Sequence, residues 1–181
     1  PQQITLIAVS KTFPTEAIQE AYDCGHRHFG ESRLQELLPK AEALPKDIFW
    51  HFIGKIQSNK IRRAAGICSL IHTLESHSQI QELEKLDKPT DVLIEINIAR
   101  EEKKSGILPE DLDKFYQRVL ISPTVRYRGL MTIGSNTGTI EQTKAEFRKV
   151  RELSRKYEGD FLSMGMSGDF EVALQEGATH I

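Results

Sequence analysis

The chain has 181 residues, 39% of them hydrophobic and 28% charged, which is typical of one globular domain spanning residues 1–181. Its 24 Lys and Arg residues nearly balance 26 Asp and Glu residues, so the net charge of −2 argues against a nucleic-acid-binding protein. No apolar run approaches the length of a membrane-spanning helix, which argues against a membrane protein. The cysteines, Cys24 and Cys68, lack metal-site spacing. These features predict a cytoplasmic protein in a reducing compartment.

The chain opens with an uncharged, largely apolar segment, residues 4–10, followed at once by Lys11. The segment predicts a strand buried on both faces, and Pro14 predicts the start of a helix soon after it. A lysine at the carboxyl end of a buried parallel strand lies where α/β proteins place their chemistry. Burial would lower the pKa of its amine and leave a nucleophile able to attack a carbonyl. The alternative is a solvated charge at the mouth of the sheet.

Short apolar segments alternate with amphipathic segments along the rest of the chain. Strands are predicted at residues 28–30, 48–53, 69–72, 91–98, 125–133 and 160–164, and residues 179–181 predict the beginning of an eighth strand. Helix starts are predicted at three serine caps: Ser32 paired with Gln35, Ser76 paired with Gln79, and Ser167. The loop at 134–138 is interpreted as a surface loop rather than an anion-binding nest. The pattern predicts an α/β fold, a (β/α)8 TIM barrel whose eighth strand is cut short in this chain, with a doubly wound open sheet as the alternative.

In a barrel, the carboxyl ends of the strands converge on one mouth. The residues expected there are Lys11, the turn 30–32, Gly54, Asn97, Thr132 and the glycine-rich turn 164–168. That last turn offers backbone N–H groups and the hydroxyl of Ser167, which suit a phosphate. A lysine that can bind an aldehyde, facing a turn that can bind a phosphate, suggests pyridoxal phosphate (PLP) as the cofactor.

Five segments at strand ends resemble one known family: AVSKTFP, HFGESRLQELLPKAE, WHFIGKIQSNK, GLMTIG and LSMGMSGDFEVALQEGATHI. They are similar to the YggS/PROSC family of pyridoxal phosphate homeostasis proteins. The resemblance implies a barrel of PLP fold type III, like the N-terminal domain of alanine racemase, with PLP held as a Schiff base on Lys11. It also implies that Met166 and Ser167 hold the phosphate, and that the protein serves PLP and amino-acid homeostasis without firm catalytic activity.

The further candidate cofactor-binding residues are Ser32, His51, Gly54 and Met131. Ser32 departs from the asparagine that is usual in the family, which puts its contact to the cofactor in question. His51 alternates with its neighbours along a strand, so a hydrogen-bonded core histidine is at least as good an interpretation as a cofactor contact. No metal site is expected, because His26 and His28 lack a third ligand.

A PLP-dependent enzyme, such as an amino-acid racemase, is the alternative function. A two-base racemase needs a second acid–base group, commonly a tyrosine, across the cofactor from the lysine. None of the four tyrosines, Tyr22, Tyr116, Tyr127 and Tyr157, is predicted to lie at a strand end near the mouth. A non-catalytic PLP-binding protein is therefore favoured over an enzyme.

A barrel that binds another phosphorylated metabolite, with Lys11 as a counter-charge, is the third possibility. A monomer is expected, since no exposed apolar patch is evident.

Overall fold

The computed structural model describes residues 3–135 and 138–181. Residues 136 and 137, which belong to the predicted 134–138 loop, lie outside the described residues. Across these ranges, short strands alternate with helices. The strands are β1 (Ala8–Val9), β2 (His28–Glu31), β3 (Phe49–Phe52), β4 (Leu70–Leu74), β5 (Thr90–Ile96), β6 (Val125–Thr132) and β7 (Phe161–Ser163). The helices are α1 (Thr15–Asp23), α2 (Leu34–Ala43), α3 (Ser58–Ala65), α4 (His77–Leu83), α5 (Leu112–Leu120), α6 (Ile140–Lys156) and α7 (Phe170–Gln175).

The seven strands form one parallel sheet in the order in which they occur along the chain. Its two edges approach the same short segment, residues 179–181. His180 forms an isolated parallel bridge with Thr5, just before β1, and another with Ser163 of β7. The N–H of Ile7 donates to the carbonyl of Ile181 at 2.7 Å. The sheet is therefore strongly curled, and the predicted parallel α/β fold is confirmed.

The two faces of the sheet have different environments, because successive side chains along a strand point to opposite sides. The outer face packs against the helices in the main core, where Phe52 and Ile94 lie with Leu37 and Phe147 of the helices. The inner face carries a smaller apolar cluster and a set of polar side chains. The inner apolar cluster consists of Leu70, Leu93 and Met131, with Ile133 and Phe161 packed against it.

The expectation that the first strand is buried on both faces is wrong. Regular strand structure in this segment is limited to β1, and Leu6 and Val9 are 59% and 44% exposed. The cause is the position of β1 at the edge of the sheet. β2 pairs with it on one side, and on the other side the described chain places only residues 179–181. Phe13 is also exposed, so the sequence argument for a monomer, which rested on the absence of exposed apolar surface, loses its force.

The serine caps have mixed outcomes. Ser76 and Gln79 form the predicted capping box at the start of α4. The Ser32 and Ser167 caps are wrong, because the flanking residues Arg33 and Asp169 take the N-cap positions of α2 and α7. At α7 the reason is local: the Asp169 carboxylate folds back and accepts the N–H of Met166 at 2.6 Å, which delays the helix.

Histidines from neighbouring strands form a continuous hydrogen-bonded chain on the inner face. His28 Nδ1 lies 3.0 Å from His51 Nε2, and His51 Nδ1 lies 2.9 Å from His72 Nε2. His72 Nδ1 lies 2.9 Å from the hydroxyl of Ser163. Neutral rings satisfy this chain, because each has one N–H and one bare nitrogen, whereas an added proton would place two N–H groups head to head. Burial lowers the pKa of His51 to about 3, that of His180 to about 4, and that of His72 well below its ordinary value.

These lowered pKa values predict that the protein loses stability in mild acid. The unfolded chain takes up protons on these histidines below about pH 6.5, whereas the folded chain does not. The contribution is therefore fully present above pH 6.5 and falls by up to about 1.4 kcal/mol per histidine per pH unit below it. Urea unfolding at pH 7 and pH 5 measures the effect. We expect His51→Gln to weaken the pH dependence more than His77→Gln, a substitution of an exposed histidine. Equal dependence in the two variants would contradict the prediction.

Candidate functional site

A cavity of about 360 Å³ lies at the carboxyl edge of the sheet. Its wall is built from residues at the ends of all seven strands or in the loops that follow them. The lining residues are Lys11, Ser32, Ile53, Gly54, Lys55, Thr73, Glu95, Ile96, Asn97, Lys104, Ser105, Ile133 and Met166. Convergence of strand ends on one site, as expected for a parallel α/β fold, is therefore present in the structure.

Four of the candidate residues, Lys11, Ser32, Gly54 and Met166, line this cavity. Lys11 is exposed, so the structure shows the solvated lysine of the two alternatives and not the buried one. Gly54 is required by a close backbone approach, because a Cβ atom at this position would lie 2.2 Å from the carbonyl oxygen of Ser32. The loops after β2 and β3 therefore meet at the wall of the cavity, which both residues line.

The other three candidates do not line the cavity. His51 belongs to the buried histidine chain, and Met131 packs in the inner apolar cluster with Leu70 and Leu93. Ser167 is exposed in the turn before α7. The neighbouring Met166 has its backbone N–H engaged by Asp169, so a phosphate that used this donor would have to displace the carboxylate. Roles for these residues in cofactor binding stay predictions.

A buried ion pair holds the backbone just before Lys11. Lys40 Nζ, on α2, donates to the carbonyl oxygen of Ser10 at 2.8 Å and to Glu31 Oε1 at 2.6 Å. The hydroxyl of Ser10 donates to the same Glu31 oxygen at 2.7 Å. Glu31 is fully buried and Lys40 is 7% exposed. Three elements, β1, β2 and α2, are thus tied together immediately next to Lys11.

A second contact holds the backbone just after Lys11. The N–H of Thr12 donates to Glu36 Oε2 at 2.8 Å, and Thr12 adopts a left-handed conformation with φ of 68°, which is unfavourable for a β-branched residue. This N–H and the nearby Lys40 ammonium hold the pKa of Glu36 below its ordinary value. The side chain of Lys11 is exposed, while hydrogen bonds to Ser10 and Thr12 hold the backbone on either side of it.

Sequence reasoning missed Lys40, although a signal was present. Leu34, Leu37 and Lys40 follow one another at intervals of three and are the buried residues of α2. A lysine that continues the apolar face of a helix must have a partner when it is buried. Glu36, one turn earlier and 3.6 Å from the ammonium, is a local partner, whereas Glu31 and the Ser10 carbonyl, nine and thirty residues earlier, are brought to Lys40 by the fold.

The opposite wall of the cavity carries a buried glutamate with a raised pKa. Glu95, on the inner face of β5, is 5% exposed, and its Oε2 has no hydrogen-bond partner among the described residues. Burial, together with the Glu75 carboxylate, raises the pKa of Glu95 to about 7, against the opposing effect of Lys55. None of the four tyrosines is among the residues that line the cavity.

Within the described residues, no cluster of His, Cys, Asp and Glu is arranged to hold a metal ion. The helices there also include none that is long and apolar enough to span a membrane.

The fold and the strand-end cavity define a protein of the alanine racemase N-terminal-domain class, whose family model matches residues 2–180. The solved alanine racemase from Corynebacterium glutamicum shares the fold, with a TM-score of 0.78 at 17% identity, over 98% of this chain and 53% of that one. Structures of PipY from Synechococcus elongatus PCC7942, without and with PLP bound, give TM-scores of 0.91 and 0.88. Both are 35% identical to this chain and cover 100% of it and 90% of PipY.

Curated relatives narrow the class further. The pyridoxal phosphate homeostasis protein of Aquifex aeolicus is 43% identical over 96% of this chain and 81% of that protein. The homologue of the same name from Pseudomonas aeruginosa is 41% identical over 100% of this chain and 82% of its own length. The chain belongs to the family of pyridoxal phosphate homeostasis proteins, and the predicted family is confirmed.

The buried pair next to Lys11 yields a stability prediction. Lys40→Met removes the cation and leaves the buried Glu31 carboxylate with only the Ser10 hydroxyl as a partner, and breaking a buried ion pair in this way typically costs about 3–5 kcal/mol. Urea unfolding should show this loss in the free energy of unfolding. Arg100→Met, which breaks an exposed ion pair with Glu110, is the matched control and should change stability little. Similar effects for the two variants would show that the buried pair has no special structural role.

Proposed function

We propose that this protein binds PLP in the strand-end cavity, as a Schiff base on Lys11, and serves PLP and amino-acid homeostasis without turnover. The observation that carries the proposal is the position of Lys11, the first-strand lysine, at a cavity formed by all seven strand ends. The PLP-bound structure of PipY, at 35% identity, supports the choice of ligand. The proposal also includes a cytoplasmic monomer. It includes a complete (β/α)8 barrel as well, and the bridges from His180 to both sheet edges support that barrel.

The residues of the cavity fit PLP in size and chemistry. A volume of about 360 Å³ falls in the range of sites for small ligands. PLP supplies an aldehyde, and the Lys11 amine is the group that condenses with it, forming a C=N bond and releasing water. Ser32 and Asn97 add polar groups to the wall, and Met166 brings the turn after β7 to the rim. We assign the phosphate to this turn, with the Ser167 hydroxyl as the available donor.

Fixing the backbone on both sides of Lys11 suits a residue that forms a covalent bond to its ligand. Lys40 and Glu36 hold Ser10 and Thr12, so only the side chain of Lys11 has to be ordered when the ligand binds. The exposed position keeps the amine accessible to a ligand that enters from solvent. Reversible uptake, storage and delivery of PLP would need this accessibility.

A PLP-dependent enzyme, such as an amino-acid racemase, is the second candidate function. Glu95 favours it, because a group with a pKa of about 7 in the cavity is able to exchange protons near neutral pH. The absence of a tyrosine from the described lining of the cavity favours the non-catalytic function, as do the names of the curated relatives.

Borohydride reduction followed by peptide mapping tests the covalent site. After incubation with PLP, we expect a pyridoxyl group on Lys11 in the wild-type protein. Lys11→Ala should abolish the adduct and the visible absorbance band, because it removes the amine. Lys55→Ala, at another lysine of the same cavity, should retain both. An adduct on Lys55 or Lys104 with Lys11 unmodified would contradict the assignment.

Exchange at the α-carbon of amino acids separates the two candidate functions. We expect NMR to show that the PLP-loaded protein, incubated with amino acids in deuterated water, does not increase deuterium incorporation at their α-carbon. Incorporation that Lys11→Ala abolishes would establish the enzyme instead.

A further inference from the structure

The cavity contains one buried acid that the proposed function does not use. Glu95 Oε2 lies on the inner face of β5, sealed from solvent, with no described donor or acceptor within hydrogen-bond distance. The residue is nonetheless one of those that line the cavity opposite β1. An unpartnered buried carboxyl oxygen is costly to a folded protein. Glu31 Oε2 also lacks a partner among the described residues, but Glu95 is the one of the two that lies in the cavity lining, where a ligand can supply the partner.

Charged groups reach Glu95 from several sides. Glu75, just after β4, accepts the N–H of Gly106 at 2.7 Å and is 3.8 Å from Lys55. Lys104 also lines the cavity, but its ammonium is engaged by the Gly134 carbonyl at 2.7 Å and by Glu101 at 2.9 Å. On β6, the residue paired with Glu95 is Met131, which carries no charge. Lys11 is the remaining cation of the lining, across the cavity.

The ligand and Glu95 cannot both be fully charged without repulsion. A phosphoryl group carries a charge of about −1.5 to −2 at neutral pH, and the phenolic oxygen of PLP adds further negative character. An ionised carboxylate in the same poorly hydrated space would oppose binding, and Glu75 is already a negative neighbour. A neutral carboxylic acid adds no charge and offers an O–H donor.

We infer that the Glu95 carboxyl group turns from its covered position into the cavity and contacts bound PLP as a neutral carboxylic acid that donates a hydrogen bond, so that uptake of the ligand is coupled to one proton. This inference rests on the proposed binding of PLP in the cavity. Above neutral pH the ionised side chain takes a proton from solvent when the ligand binds, and the affinity falls accordingly. Because burial and Glu75 raise the pKa of Glu95 to about 7, the coupling operates in the physiological range.

The pH dependence of PLP affinity, compared between wild type and Glu95→Gln, is the test. The two proteins and the ligand are otherwise identical, so the ratio of their dissociation constants isolates Glu95. The amide of glutamine keeps a neutral donor at every pH. We expect the dissociation constant of the wild type divided by that of Glu95→Gln to be near one at pH 6 and about ten by pH 8. Glu95→Leu should bind more weakly than Glu95→Gln at pH 6, because the donor is lost.

A calorimetric measurement keeps the inference testable if the substitutions disturb folding. Wild-type protein is titrated with 4-deoxypyridoxine 5′-phosphate, which has the ring and phosphate but no aldehyde, in two buffers of different ionisation enthalpy at pH 8. We expect uptake of close to one proton per ligand bound. No proton uptake, or a ratio that stays at one across the pH range, would overturn the role of Glu95. Tighter binding by wild type than by Glu95→Gln at pH 8 would overturn it too.

Failure of the proposed function and failure of the inference about Glu95 give different experimental results. If wild-type protein forms no visible band and no reducible adduct with PLP, the proposed function is wrong. If the adduct forms on Lys11 and only the pH dependence is missing, the proposed function stands and the inference about Glu95 fails.

Discussion

The buried pair between Lys40 and Glu31 is the interaction on which the site depends. A lysine ammonium is tolerated inside a protein only where acceptors surround it, and here they are the Ser10 carbonyl and the Glu31 carboxylate. These acceptors come from the ends of β1 and β2, and the lysine comes from α2. The pair therefore fixes the relative position of three elements at the carboxyl edge of the sheet, one residue before Lys11.

Two acids and two lysines at or beside the cavity have contrasting roles. Glu31 and Lys40 are buried, paired and structural, whereas Lys11 is exposed and Glu95 has an oxygen without a partner. The Lys40–Glu31 pair holds the backbone beside the cavity, whereas Lys11 and Glu95 belong to the cavity lining. This division is what separates a scaffold from a binding site, and it explains why a rigid strand end carries an accessible amine.

Sequence reasoning succeeded where the structure depends on local pattern. Strands β2 to β7 lie within two residues of the predicted positions, because the alternation of apolar segments and turns is a local property. It failed where distant residues meet. The burial of the first strand depends on what lies beside a sheet edge. The start of α7 depends on Asp169 binding the Met166 N–H, and the histidine chain joins four different strands through to Ser163. At the site, the pattern identified Lys11 and the converging strand ends but missed Lys40 and Glu95, whose significance lies in partners present or absent across the fold.

The central claim is that one fixed lysine at the strand-end cavity binds PLP covalently. A crystal structure of the wild-type protein grown with PLP tests it most directly. We expect continuous electron density from Lys11 Nζ to the ligand, with Lys40 still bonded to the Ser10 carbonyl and the ring within the described cavity. Density for PLP at another lysine or outside this cavity, with the Lys11 amine free, would contradict the claim.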